Sequence, residues 1–168
     1  DQIELINEMM SPENLAIIGY SSGGSGGGSG SGNSVSSLTN AEIEAIVSSI
    51  TDPTQKATVS FALSKVGYPY SQDYRDTGNY YDCSSLAYYS WKAAGVDISF
   101  GGATTAAAEA QGLDEASKSI TEADLQPGDL IFYSYTTNGR YKNISHVGIY
   151  TGNGKMVEAK NEAEGVVY

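Results

Sequence analysis

The fold is decided by the stretch SHVGIYTGNGKMVEAK, residues 145–160, in which two alternating apolar runs flank a Gly-Asn-Gly centre. Alternation of apolar and polar residues is typical of half-buried strands, and glycine with asparagine between such runs is typical of a hairpin turn. The stretch therefore predicts two antiparallel strands. Their register matters because a slip of one residue moves every side chain to the other face.

Two registers can be drawn for this hairpin, and they place its polar side chains differently. With a two-residue turn, Ile149 would oppose Glu158, which leaves His146 and Glu158 on opposite faces. With a three-residue loop over 152–154, Gly148 would oppose Glu158, and the two polar side chains would be diagonal neighbours on one face. The second register is predicted because it also collects the apolar side chains on one face, namely Val147, Ile149, Val157 and Ala159.

Helix signals come before the strands. Thr39 and Glu42 have the spacing of a capping box, and Asp52 followed by Pro53 gives an N-cap with proline at the first helical position. Two more helices are predicted at 82–94 and at 105–110, the latter stopped near Gly112, and strands at 130–133, 144–150, 155–160 and 165–168. Helices first and antiparallel strands afterwards predict an α+β fold.

Composition describes a globular chain with an acidic surface. The 168 residues are 40% hydrophobic and 17% charged, with a formal net charge of −11. Such a surface repels nucleic acid and anionic lipid, and the sequence contains no run of about 18 apolar residues that could span a membrane. Neither a nucleic acid nor a membrane is therefore expected as a partner. One cysteine and one histidine are too few for a disulfide framework or a structural zinc site.

The single cysteine, Cys83, follows Asp82 at the predicted start of a helix. There the sulfur lies beside unpaired backbone N–H groups and the positive end of the helix dipole, which favour a thiolate. A lone cysteine is more often core, and a lone histidine such as His146 is more often structural, so local signals leave both interpretations open. A nucleophilic cysteine needs a base within reach, and Glu158 is then either an orienting carboxylate for His146 or an exposed strand residue.

Three ordered blocks of the sequence resemble the signature blocks of the NlpC/P60 family. They are YDCSSL at 81–86, LQPGDLIF at 125–132 and HVGIY at 146–150, and the resemblance extends over about 57–168. It implies a papain-like fold, with N-terminal helices packed on an antiparallel sheet of about five strands. It also implies the activity of bacterial cell-wall cysteine peptidases, most of which cut peptidoglycan stem peptides after γ-D-glutamate.

The resemblance assigns catalytic roles by position. Cys83 would be the nucleophile, His146 its base and Glu158 the third polar residue, which in the family is usually His, Asn or Gln. The thiolate would attack the amide carbonyl, the backbone N–H of Cys83 would help hold the oxyanion, and His146 would protonate the leaving amine. Water would then hydrolyse the thioester, and neither a metal nor an organic cofactor is expected.

The resemblance also assigns a substrate-binding cluster. Tyr70, Asp82 and Ser84 would hold the free amine end of the peptide, and Ser85, which stands where the family usually has glycine, is counted with them. The expected partner is a peptidoglycan stem peptide, bound by a monomer that is secreted to the bacterial cell wall. Two alternatives stay open: an amidase that cuts between muramic acid and L-Ala, and an inactive wall-peptide binding module or engineered scaffold.

The N-terminal part of the sequence has a different composition. Residues 21–34 read SSGGSGGGSGSGNS, a composition that predicts a flexible linker, and the pattern of 15–20 before it predicts a strand. We expect a circular permutant in which 1–20 supply a displaced last strand, 21–34 join the original termini, and 35–168 form the catalytic domain. The alternative is a natural linker that follows a truncated upstream domain.

Overall fold

The computed structural model describes residues 37–168, so the predicted displaced strand and linker at 1–34 lie outside the described residues. Within the described range, the helices precede the strands, as predicted for an α+β fold. Single 3-10 turns lie at Glu122–Asp124 and Tyr141–Asn143. The helices and strands are α1 (Asn40–Val47), α2 (Pro53–Ser64), α3 (Cys83–Ala93), α4 (Ala106–Glu115), β1 (Leu130–Tyr133), β2 (His146–Gly152), β3 (Lys155–Ala159) and β4 (Val166–Val167).

The first two helices begin where their capping residues predict. Glu42 N donates to Thr39 Oγ1 at 3.1 Å and Thr39 N donates to Glu42 Oε1 at 2.9 Å, so the capping box of α1 is confirmed. Asp52 Oδ1 accepts from the backbone N–H groups of Thr54 and Gln55 at the start of α2. Each cap stabilises its helix by about 1 kcal/mol, so the starts of these two helices could be predicted from the capping residues alone.

The predicted end of α4 near Gly112 is wrong, because the helix continues to Glu115. Gly112 lies inside the helix under the ring of Phe100, and a Cβ at this position would clash with that ring. The glycine therefore permits a close approach between side chain and helix instead of ending the helix. Its conformational freedom at a helix end, which motivated the prediction, is not what the fold uses.

The strands form one antiparallel sheet in the order β1-β2-β3-β4. This is four strands in the described part, against about five expected. Ile149 pairs with Val157 and Tyr150 with Met156. This is the predicted register, which puts His146 and Glu158 on the same face of the sheet. The sheet register thus agrees with the prediction from apolar alternation.

The turn of this hairpin differs from the predicted three-residue loop. Gly152 pairs with Lys155 around a two-residue turn in which Asn153 and Gly154 have φ of 55° and 74°. A bulge at Thr151 supplies the extra residue, and Thr151 Oγ1 donates to the Lys155 carbonyl at 3.0 Å. A two-residue turn plus a bulge restores the register that a three-residue loop would have given.

The core lies between the helices and one face of the sheet. α3 packs on β2 and β3, and α2 packs on α3 and β2. The fully or nearly fully buried side chains at this contact include Val59, Leu63, Leu86, Val147, Ile149 and Val157. Burial of several such side chains, at about 2 kcal/mol each, holds the start of α3 against the sheet.

Replacing Gly165 with alanine should lower the free energy of unfolding by about 3 kcal/mol. Gly165 has φ of 67°, and an added Cβ would clash with the backbone carbonyl of Tyr68, which accepts from Val166 N at 2.9 Å. Gly154→Ala is the matched control, since Gly154 has φ of 74° and no atom within 4 Å of an added Cβ. Urea unfolding should show a loss of only about 1 kcal/mol in that control, and equal losses would contradict the close approach.

Candidate active site

Cys83 is the first residue of α3, and Asp82 before it is the N-cap. Asp82 Oδ1 accepts a hydrogen bond from Ser85 N at 2.8 Å, and Asp82 N donates to Ser85 Oγ at 3.0 Å, which completes a capping box. The thiol is free and partly buried, beside the N–H groups that open the helix. These groups and the positive end of the helix dipole face the sulfur, where an attacking nucleophile would form an oxyanion.

His146 begins β2, where it pairs with Tyr133 of β1. Its Nε2 lies 2.7 Å from Oε1 of Glu158, and the two residues are only 8% and 4% exposed. The Cys83 side chain also interacts with the imidazole and raises the pKa of His146, and because Nε2 faces Glu158, Nδ1 is the ring nitrogen left for the sulfur. The structure thus brings the three residues that the sequence singled out into one chain of contacts.

The imidazole of His146 is held as a cation. Burial alone would lower the pKa of His146, but hydrogen bonds and charge interactions with Cys83 and Glu158 outweigh burial and raise the pKa to about 10. At neutral pH the ring is therefore protonated between two groups that carry or can carry negative charge. Such an arrangement can supply a sulfur nucleophile and a proton donor side by side.

Replacing Glu158 with glutamine should weaken the dependence of stability on alkaline pH. Folding favours the protonated imidazole of His146, so the stabilisation is complete below the unfolded pKa of about 6.5 and is lost as pH rises through about 10. Glutamine removes the negative charge beside the imidazole, so the pKa of His146 in the folded state falls. The pH range over which the protein loses this stabilisation therefore becomes narrower. When the pH is raised from about 7 to about 10, the free energy of unfolding measured with urea should fall in both proteins. The fall should be larger in the wild type than in Glu158→Gln by about 1 kcal/mol or more. Equal losses would show that Glu158 does not hold the imidazolium.

Two tyrosines cover the imidazole, and sequence reasoning missed both. The rings of Tyr133 and Tyr135 are stacked, and their centroids lie 5.5 and 6.5 Å from that of His146. Burial, followed by the charge of Glu158, raises the pKa of Tyr133, so its hydroxyl stays neutral. Tyr135 is 55% exposed and lies between the imidazole-covering ring of Tyr133 and the solvent. The signal in the sequence is the spacing of two tyrosines by two residues at the end of β1, which places them on one side of the chain.

The predicted substrate-binding residues lie beside Cys83, and three of them, Asp82, Ser84 and Ser85, are buried. Burial raises the pKa of Tyr70, and the charges of Cys83 and Asp82 add to the rise, which places the phenol near both. Ser84 Oγ donates to Asp82 Oδ1 at 3.3 Å. Ser85 is fully buried, with its hydroxyl used in the capping box. Ser85 therefore closes the start of the helix, and its role in substrate binding stays a prediction.

Two charged residues that sequence reasoning did not single out complete the surroundings of Cys83. Arg75, from the tyrosine-rich loop before α3, places Nε 3.2 Å from Asp82 Oδ2. Glu109 of α4 is fully buried. Burial and then the negative charge of Cys83 raise the pKa of Glu109 well above its ordinary value, against the opposing charge of Arg75. The sequence signal for Glu109 is its position as the single charged residue in AAAEA at 106–110, since a helix face of alanines is typical of burial.

Among residues 37–168, no three His, Cys, Asp or Glu side chains are grouped as the ligands of a metal ion would be. None of the helices in this part of the chain has both the length and the apolar character needed to cross a bilayer.

A cysteine at a helix start, beside a histidine of an antiparallel sheet with a polar group behind the imidazole, defines a papain-like thiol–imidazole site on an α+β fold. Comparison of the sequence with known families is consistent with this class. The chain belongs to the NlpC/P60 family, which matches residues 67–168. The matched range contains Cys83, His146 and Glu158.

Curated relatives carry similar sequences within longer proteins. The chain is 36% identical over 100 residues to the bifunctional muramidase/DL-endopeptidase CwlT of Bacillus subtilis, covering 60% of this chain and 27% of that protein. It is 37% identical over 87 residues to the peptidoglycan DL-endopeptidase CwlO of Bacillus licheniformis, covering 51% of this chain and 16% of that protein. It is 34% identical over 100 residues to the probable endopeptidase p60 of Listeria grayi, covering 60% and 17%. The chain thus spans less than a third of the length of each of these relatives.

Proposed function

We propose that the protein is a cysteine endopeptidase that hydrolyses peptidoglycan stem peptides at the bond after γ-D-glutamate. The observation that carries the proposal is the chain of contacts from the Cys83 thiol through the buried imidazole of His146 to Glu158 at 2.7 Å. The names of the relatives support the substrate class, because two of them are DL-endopeptidases. Since peptidoglycan lies outside the cytoplasmic membrane, the proposal places the working protein there.

The mechanism follows from the placement of the reacting groups. The Cys83 sulfur attacks the γ-carbonyl carbon, and the oxyanion forms beside the backbone N–H groups at the start of α3. His146, protonated at neutral pH, gives its proton to the leaving amine as the C–N bond breaks. A water molecule then attacks the thioester, His146 takes one of its protons, and the acid product leaves as the thiolate is restored. Glu158 stabilises the imidazolium and fixes the ring through Nε2.

Digestion of purified peptidoglycan with mass analysis of the products tests this proposal. Fragments that end in γ-D-glutamate support endopeptidase activity. Release of the complete stem peptide would instead support an amidase, and no release would support a module that binds the wall peptide without cutting it. Peptidoglycans with lysine and with diaminopimelate at the third stem position should both be digested, so that a preference for one of them is not mistaken for inactivity.

A further inference from the structure

One exposed aromatic ring lies next to the group that would protonate the leaving amine. The ring centroid of Tyr135 is 6.5 Å from that of His146, and the tyrosine is 55% exposed. Two other side chains around the imidazole are closed to a bound peptide, since Tyr133 and Glu158 are only 2% and 4% exposed. Of these three neighbours of His146, Tyr135 is therefore the one that a substrate can touch.

The ring of Tyr135 is held in place by a buried neighbour. It lies parallel to the ring of Tyr133, with an interplanar angle of 4° and centroids 6.0 Å apart. Tyr133 is itself fixed, because it is buried in β1 and its hydroxyl donates to Met156 Sδ at 3.2 Å. A ring stacked on such a partner has little freedom left to lose when a ligand contacts it, so it is a preformed binding surface.

The proposed reaction places the residue after the scissile bond beside this ring. The leaving nitrogen belongs to the third residue of the stem peptide, and it must come within about 3 Å of the imidazole of His146 to accept the proton. The side chain of that residue begins at the carbon next to the nitrogen. In lysine and in diaminopimelate it carries an ammonium at the end of a four-carbon stem, which is long enough to reach a ring centred 6.5 Å from the imidazole.

The face of an aromatic ring attracts an ammonium that lies within about 6 Å of the ring centroid, because the π system carries negative charge there. We propose that Tyr135 binds the side-chain ammonium of the third stem residue and makes the protein select peptides that carry this ammonium. The inference rests on the proposed function for the identity of the leaving residue. Lysine and diaminopimelate share the ammonium, and diaminopimelate adds a carboxylate on the same carbon, which the ring face does not attract.

Three matched peptides test the inference: L-Ala-γ-D-Glu followed by lysine, by diaminopimelate or by norleucine, which keeps the four-carbon stem and lacks the ammonium. At about pH 7 the wild type should cleave the lysine peptide, the diaminopimelate peptide or both with kcat/KM about fivefold higher than the norleucine peptide. Tyr135→Leu should bring this ratio close to one, and Tyr135→Phe should keep it, because phenylalanine retains the ring face. Tyr74→Leu is the matched control and should also keep the ratio, since Tyr74 is 58% exposed and its ring contacts another tyrosine ring, that of Tyr80, at 5.5 Å.

The ratio separates recognition from damage to the fold, because a variant that only weakens the fold lowers kcat/KM for all three peptides alike. The net charge of −11 would favour a cationic peptide in every variant, so a preference that survives in Tyr135→Leu overturns the inference. Equal cleavage of the three peptides by the wild type also overturns it and leaves the proposed function intact.

Binding of the same peptides to Cys83→Ala, measured by calorimetry, reads the preference without turnover. If the wild type does not cut peptidoglycan, but Cys83→Ala prefers an ammonium-bearing peptide and loses that preference when Tyr135→Leu is added, the proposed function fails and this inference stands. Binding to Cys83→Ala without a preference, or no binding of any of the peptides, overturns the inference.

Discussion

Replacing Cys83 with alanine should abolish the release of peptide from peptidoglycan, with a rate loss on the order of 10⁴-fold or more. The variant lacks the atom that would form the thioester, and the described residues contain no second thiol to replace it. Oxyanion stabilisation and substrate binding would remain, but they act on a bond that nothing attacks. Mass analysis of the digestion products, with wild type and variant at equal concentration, measures the loss.

The same experiment has an internal chemical control. Cys83 is the only cysteine of the chain, so one equivalent of iodoacetamide labels a known atom and should inactivate the wild type in proportion to labelling. The free energy of unfolding of the variant should stay within about 1 kcal/mol of the wild-type value, because Cys83 is partly exposed and the helix cap is made by Asp82. Activity within tenfold of wild type in Cys83→Ala would exclude the mechanism.

Local chemistry explains why the position of Cys83 could be predicted from the sequence. The N-cap of α3 depends on Asp82 and Ser85, which are neighbours in the chain, so its start does not depend on distant packing. The pairing of His146 with Glu158 was also within reach, because apolar alternation along both strands fixes the register. Even an incorrect turn left this prediction intact, since the bulge at Thr151 compensates for the shorter loop.

The charged residues around Cys83 could not be predicted in this way. Arg75 reaches Asp82 and the Thr104 carbonyl from a loop without regular periodicity, and that contact depends on how two loops pack in three dimensions. Gly112 is a similar case, because its role depends on Phe100, which lies outside the helix in the loop before it. Sequence patterns report contacts within one element or one hairpin, whereas these contacts arise between elements.

Replacing His146 with alanine should lower the rate of hydrolysis on the order of 10³-fold or more, since the leaving amine loses its proton donor and the sulfur loses the adjacent cation. Alkylation by iodoacetamide at about pH 6 should slow as well, because the variant lacks the protonated imidazole that interacts with the Cys83 side chain. Initial rates of digestion and of alkylation, measured on the same preparations, test both effects. An alkylation rate unchanged from wild type would show that the imidazole does not activate the sulfur.

His146→Ala also leaves the buried carboxylate of Glu158 without its partner. Glu158 is 4% exposed and bonds His146 at 2.7 Å, so the variant should lose about 3 kcal/mol of stability from an unpaired buried carboxylate. Adding Glu158→Gln removes that charge, so the double variant should recover much of the stability. It should recover none of the activity, because a glutamine cannot supply the proton that the imidazole gave. Recovery of stability and activity together would mean that His146 serves the fold and not the reaction, whereas recovery of stability alone assigns the proton transfer to His146.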